Sequence, residues 1–174
     1  ISYIKRQKDK LQNRRECQRG VRMWYELQWG RDVNLFECRK IVFPYKSSCN
    51  RFAIDEGSYG SADIYGIIIK PEFFHKTSYE CLSAILNSKL YEFYFKSFGK
   101  KLGDNLYDYY PNTVMRLMVP LIKDSYLSSR VKTIIETNDN LKIVENMKDI
   151  DWYLYDMFKI TQEEIGIIEE RCAQ

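Results

Sequence analysis

Histidine is nearly missing from this chain, with one residue, His75, in 174. Five cysteines are present (Cys17, Cys38, Cys49, Cys81, Cys172), but none form a Cys-x-x-Cys pair. A zinc site built from His and Cys at the usual spacing is therefore excluded. Proline (4) and glycine (8) are scarce while aromatics reach 15%, which excludes collagen-like, low-complexity and disordered chains. No apolar run approaches the roughly 20 residues that span a bilayer. The N-terminal ISYIKRQKDK has no apolar core of the kind a signal peptide needs.

Catalytic signatures are missing as well. No Gly-x-Gly occurs, so the phosphate or S-adenosylmethionine loop that follows a strand has no candidate. No two prolines adjoin, which removes the Asn/Asp-Pro-Pro-Tyr turn that presents a target amine to a methyl donor; Asp108-Tyr109-Tyr110-Pro111 does not substitute for it. A magnesium nuclease needs a carboxylate followed by Asp/Glu-x-Lys. The nearest approach, Asp32 with Glu37-Cys38-Arg39-Lys40, is too short and places its Lys one position late. His75 reads as a structural residue in the loop Phe73-Phe74-His75-Lys76. Asp104 with Asp108, and Asp149 with Asp151, read as solvated charges. No catalytic residue and no metal ligand is assigned.

What is present is a core and an uneven charge. The chain is 45% hydrophobic, and a protein of this size buries roughly two-thirds of its unfolded surface, so one domain is expected without disulfides. The odd, irregularly spaced cysteines fit a reduced, cytoplasmic setting. The net charge is +3, yet residues 1–60 hold 13 basic and 7 acidic groups while residues 121–174 hold 7 and 11. A basic front and an acidic rear suit a molecule that turns one face to a polyanion. The chain begins with Ile rather than Met, and is expected to be part of a longer protein.

Residues 1–19 are rich in helix formers and basic groups, with a thin apolar stripe of Ile1, Ile4 and Leu11, and read as one basic helix ended by Gly20. Strands are expected at 23–27, 40–43, 51–54 and 64–69, separated by turns at Trp29-Gly30-Arg31-Asp32, 44–50 and 56–61. The run Ile67-Ile68-Ile69 reads as a strand covered on both faces. Residues 78–98 read as a helix with Ser78 as N-cap and Gly99 as stop signal. A loop at 99–111 and a strand at 114–119 follow. From Ser125 the pattern is helical: Ile143, Met147, Ile150, Leu154 and Met157 form a short seam that packs on its own domain, and Thr161 with Glu164 forms a capping box.

The chemistry on offer is that of binding. The segment 44–51 brings Tyr45, Lys46, two hydroxyls, Asn50 and Arg51 together. Lys and hydroxyl groups suit phosphate, Asn suits adenine and Arg suits guanine. Lys96, Lys100 and Lys101 flank Gly99 and Gly103, and Tyr107, Tyr109 and Tyr110 follow. The DNA-binding candidates are Lys46, Asn50, Arg51, Lys96, Lys100, Lys101, Tyr107 and Tyr110.

Several stretches in order resemble a known family: Leu11-x-x-Arg14; Trp24-Tyr25-Glu26-Leu27 and then Arg31; Lys40-Ile41-Val42-x-Pro44; Arg51-Phe52-Ala53-x-Asp55; Leu82-x-x-Ile85-Leu86-Asn87-Ser88-Lys89-Leu90; and Val119-Pro120. The chain is similar to the TaqI-like C-terminal specificity domain, the target-recognition domain of type II and fused type IIG adenine-specific DNA methyltransferases. The tail around Ile150-Asp151, Leu154-Tyr155-Asp156 and Thr161-x-Glu163-Glu164 resembles the helical ending of these enzymes, with Phe158-Lys159 where Tyr-Gly is expected and a turn altered in consequence. The resemblance implies that S-adenosylmethionine binds an upstream domain absent here. That domain would flip and methylate adenine while the present one reads double-stranded DNA. It implies no cofactor in this domain, no membrane, and a partner methyltransferase domain in the same chain. In Ile85-Leu86-Asn87-Ser88-Lys89-Leu90, Asn87-Ser88 is expected to break or cap a helix.

The expected fold is α+β: a mixed or antiparallel sheet with flanking helices, residues 1–122 forming the recognition domain and 123–174 a C-terminal helical extension packed on it. Three rivals remain at this point: half of a type I restriction specificity subunit, a catalytic nuclease domain, and a protein-interaction module using the 143–157 seam.

Overall fold

The computed structural model describes residues 2–27 and 32–173. The chain divides into two compact units, Ile1–Leu35 and Phe36–Gln174.

In the first unit the expected basic helix is three short ones: α1 (Ser2–Lys5), α2 (Lys8–Gln12) and α3 (Arg15–Gln18). A thin apolar stripe gives a long helix nothing to pack on, and isolated helical turns are marginal in water. The break at Arg14 has a specific cause. Its backbone is extended (ψ 141°), and its guanidinium donates to the carbonyls of Leu11, Trp24 and Glu26 at 3.1, 3.0 and 2.8 Å. Gly20, at φ +70°, closes α3 as expected. Residues 23–27 do not form the expected strand. Glu26 closes a turn instead, its amide donating to the Met23 carbonyl at 3.0 Å and its carboxylate accepting from the Met23 amide at 2.8 Å. Of the expected turn at Trp29-Gly30-Arg31-Asp32, the first three residues lie outside those described. The helix α4 (Val33–Glu37) spans the boundary along the chain.

The second unit holds two antiparallel sheets. In the first, β1 (Lys40–Pro44) lies between β3 (Ala53–Asp55) and β4 (Ile64–Ile67), with Ile41 opposite both Ile54 and Ile67. In the second, β6 (Leu106–Asp108) lies between β2 (Lys46–Ser47) and β5 (Lys101–Gly103). Tyr45 joins the two: its amide donates to the Asp63 carbonyl at 2.7 Å and its carbonyl accepts from the Tyr109 amide at 2.8 Å. The isoleucine run is not covered on both faces. β4 is an edge strand that stops at Ile67; Ile68 is exposed and Ile69 buried.

Between and after the strands come α5 (Tyr79–Asn87), α6 (Lys89–Phe98) and the single turn α7 (Pro111–Val114). The helix expected over 78–98 breaks at Ser88, whose backbone is extended (ψ 153°) and whose hydroxyl accepts from the Tyr91 amide. Ser78 caps α5, and α6 ends at Gly99. The strand expected at 114–119 is absent because the buried residues are Val114 and Leu117, three apart, while Met115 and Met118 are exposed. An inward spacing of three is that of a helical turn, not of a strand.

The chain closes with α8 (Ser125–Glu136), α9 (Asn140–Met157) and α10 (Gln162–Cys172), capped by Asp124, Asp139 and the Thr161–Glu164 capping box. Leu127 and Val131 of α8 and Ile150 and Leu154 of α9 are buried in the same core as Ile41, Ile85 and Phe95. The 143–157 seam thus faces its own domain. The fold is α+β with antiparallel sheets. Among the described residues no helix is long and apolar enough to cross a membrane.

Candidate functional site

The candidate DNA-contacting residues divide sharply by environment. Asn50 is 8% exposed and fully engaged: its Nδ2 donates to the Leu86 carbonyl at 2.6 Å, its Oδ1 accepts from the Tyr109 phenol at 2.8 Å, and its amide donates to Glu92 at 3.2 Å. Lys96, 9% exposed, pairs with Glu92 at 2.7 Å and sits 5.8 Å from the Tyr107 ring centroid; Tyr107 is itself 5% exposed. Polar groups held this way are committed to one another, since breaking a buried pair leaves an unsatisfied charge. Asn50, Lys96 and Tyr107, expected among the DNA contacts, are thus buried and engaged within the domain. Tyr109 stacks on Phe95 with ring centroids 4.2 Å apart, and burial pushes its phenol well above the usual tyrosine range.

The remaining five, Lys46, Arg51, Lys100, Lys101 and Tyr110, are exposed. The second sheet carries two of them on its outer strands, Lys46 on β2 and Lys101 on β5, with Lys100 immediately before β5. The expected loop at 99–111 is a β-hairpin there, because Asp104-Asn105 supplies the turn and Lys101 pairs with Tyr107. Tyr110 belongs to a three-ring cluster that the sequence does not reveal. It lies 5.9 Å from Tyr45 and 5.5 Å from Tyr65, and Tyr45 lies 6.5 Å from Tyr65, all edge-on. The ammonium of Lys46 sits 4.9 Å from the Tyr45 ring centroid. Tyr65 carries no signal in the sequence, where it reads as one more residue of an apolar strand; it meets the others only because β4 pairs with β1 in register.

This face presents cations and aromatic edges. A depression of about 490 Å³ is lined chiefly by Ile68, Ile69, Phe74 and Tyr79, and its cations are engaged: Arg39 with Glu80 and Glu56, Lys123 with the Phe74 carbonyl. Among the described residues no group of three or more metal-ligating side chains gathers. The exposed cations and aromatic edges suit contact with an extended anion.

Residues 1–119 match the TaqI-like C-terminal specificity domain. The chain belongs to this family. A TaqI-like specificity domain is the DNA-recognition module of a methyltransferase and is not itself catalytic. The match includes every candidate above, the tyrosine cluster included, and stops short of α8.

The segment Asn87-Ser88 contributes more than a helix break. The Asn87 Oδ1 accepts from the Phe52 amide at 2.9 Å while its Nδ2 donates to the Phe52 carbonyl at 2.7 Å and the Ser83 carbonyl at 2.9 Å. One side chain thus satisfies both backbone groups of the residue that leads into β3 and fixes the strand to α5. Across the break, Asp151 of α9 accepts from the Lys89 amide at 2.8 Å, closing the N-terminus of α6. Burial pushes this carboxyl up to about 6 despite that hydrogen bond. These contacts tie α5 to the start of β3 and α9 to the start of α6.

Proposed function

We propose that this domain reads a specific double-stranded DNA sequence for an N6-adenine methyltransferase of a restriction–modification system. In this reading the methyltransferase domain precedes it in the same chain, binds S-adenosylmethionine, and works in the cytoplasm. Lys46, Lys100 and Lys101 contact phosphates, and Arg51 and Tyr110, with Tyr45 and Tyr65 beside it, contact the bases or the groove. The supporting observation is that three exposed lysines lie on or beside one small sheet, next to a cluster of three tyrosines, in a chain of the specificity-domain family.

The test is duplex binding as a function of salt. Removing one phosphate-binding lysine lowers the slope of log affinity against log salt by about 0.9. Replacing Lys46, Lys100 and Lys101 by Ala should weaken binding to all sequences alike and flatten that slope by roughly 2–3. An unchanged slope removes these lysines from the phosphate-binding set. Magnesium-dependent, sequence-dependent cleavage by the isolated chain would replace the reading by a nuclease.

A further inference from the structure

None of the DNA-contact candidates lines the depression bounded by Ile68, Ile69, Phe74 and Tyr79, and all of its lining residues belong to the second unit. Its volume of about 490 Å³ falls in the range of sites that take small molecules behind mostly apolar walls. Its uncommitted polar groups come from one stretch of chain, the start of α5. Thr77, Ser78 and Tyr79 all line the depression. Thr77 is 3% exposed, and its hydroxyl is a buried polar atom with no hydrogen-bond partner among the described residues. Folded proteins leave few such groups, because an unmade hydrogen bond carries the full cost of desolvation. An orphan hydroxyl on a residue of the wall calls for a ligand that supplies the missing partner.

The other polar groups are donors. The Tyr79 phenol accepts from the Ile69 amide at 3.3 Å, which leaves its own proton undirected. The Tyr79 amide is the first of α5 and has no acceptor among the described residues, while the Ser78 hydroxyl is occupied by the Cys81 amide. Lys123 gives one N–H to the Phe74 carbonyl at 3.1 Å and keeps two. It forms no ion pair among the described residues, whereas Arg39 balances Glu56 and Glu80. The start of a helix of 9 residues adds positive partial charge. The complement to this set is one anionic group on an apolar body. A bare anion would leave the apolar walls wet, and a purely apolar molecule would leave the donors unmet. A carboxylate fits, because its two oxygens accept from a hydroxyl and an ammonium at once.

We propose that this depression binds a small aromatic or aliphatic carboxylate, its apolar body against Ile68, Ile69, Pro71 and Phe74 and its carboxylate accepting from Thr77, the start of α5 and Lys123. The inference does not depend on the DNA-reading function above, and its failure would leave that function standing.

The experiment titrates the full, nitrogen-15-labelled chain with 3-phenylpropionate and follows the backbone amides. Those of Ile69, Thr77 and Tyr79 should shift and saturate. The amine 3-phenylpropylamine carries the same ring with a cation, and acetate carries the head without the body; each should bind at least about 10-fold more weakly. Thr77→Val replaces an unpartnered hydroxyl by a methyl group, so its denaturation midpoint should equal or exceed that of wild type. Its affinity for 3-phenylpropionate should nevertheless fall by about 10- to 100-fold, and Thr77→Ser should recover it. Lys123→Ala, at an exposed side chain, should weaken binding and remove its dependence on salt. If Thr77→Val fails to fold, Lys123→Ala and the amine decide. The proposal is overturned by no saturable shift at millimolar ligand, by shifts confined to other parts of the chain, by equal affinity for the amine or for acetate, or by unchanged affinity in the folded variants.

Discussion

The phenol of Tyr109 donates to the Oδ1 of Asn50 at 2.8 Å in the interior of the second unit. This bond joins the residue after β6 to the segment after β2, and the Asn50 Nδ2 carries the connection on to the last turn of α5. Asn50 is thus a junction on which the sheet and the helix agree, one position before the exposed Arg51.

Adjacent residues should consequently behave oppositely. Asn50→Ala leaves the Tyr109 hydroxyl and the Leu86 carbonyl without their partner, and should destabilise the fold by about 2–3 kcal/mol. Arg51→Ala should change stability by under about 0.5 kcal/mol and act on DNA binding alone. Urea denaturation of both variants checks the pair; equal effects on stability would contradict the assignment.

Asn87→Ala removes the acceptor of the Phe52 amide and one of two donors to the Phe52 carbonyl, which keeps the Ser83 hydroxyl at 3.1 Å. A destabilisation of about 2–3 kcal/mol is expected. Hydrogen exchange at the Phe52 amide should accelerate more than at Ile41, whose strand partners remain. Equal acceleration at both would show that the side chain does not hold β3 locally.

Lys159 adopts φ +57°, the left-handed conformation at the end of α9. A side chain there costs about 1–2 kcal/mol relative to glycine, partly offset by glycine's larger unfolded-state entropy. Its ion pair with Asp156 is solvent-exposed and contributes little. Lys159→Gly should therefore stabilise the protein by about 0.5–1 kcal/mol, raising the thermal midpoint. A lowered midpoint would mean that the lysine is held by more than its backbone.

Asp151 is buried, and its carboxyl is pushed up to about 6 from an ordinary value of 3.8. A raised carboxyl means that the folded state binds the proton more tightly than the unfolded chain. The associated stability is present below pH ~4 and disappears as pH rises through about 6. Asp151→Asn keeps an oxygen that accepts from the Lys89 amide and never ionises. It should exceed wild type in stability at pH 7 by on the order of 1–3 kcal/mol, with the difference vanishing near pH 4. Asp55 works in the opposite direction: against the effect of burial, hydrogen bonds from Lys40, Ser58 and Gly57 hold its carboxyl well below the usual range. The comparison must therefore be between variant and wild type at each pH, and a difference independent of pH would count against the assignment.

Much of the frame was legible from local signals. Ser78, Gly99 and the Thr161–Glu164 pair mark helix ends because capping is decided within a few residues. The seam at Ile150 and Leu154 announces its buried side by spacing alone. The apolar segments at 23–27 and 114–119 misled because composition resembles a strand where, among the described residues, no partner strand pairs with them; the inward pair Val114 and Leu117 reveals the turn. The site was less legible. Asn50 and Arg51 are neighbours with equal chemical claim on a base, and which one faces water is decided by Leu86 and Tyr109, 36 and 59 residues away. Tyr45, Tyr65 and Tyr110 converge only through the pairing of β4 with β1 and the bond from Tyr109 to Tyr45.

The family match ends at residue 119, but the core does not. Leu127, Val131, Ile150 and Leu154 lie beyond that point and are buried with Ile41 and Phe95. At roughly 1.5–3 kcal/mol for each large apolar side chain, the four represent about 6–12 kcal/mol, comparable with the whole stability of an ordinary domain. A chimera that exchanges target preference between enzymes by cutting at the family boundary would bring the reading face without its scaffold and aggregate. The exchangeable cassette is expected to run through α9, so the portion of the chain that travels with a new specificity is larger than the family match itself.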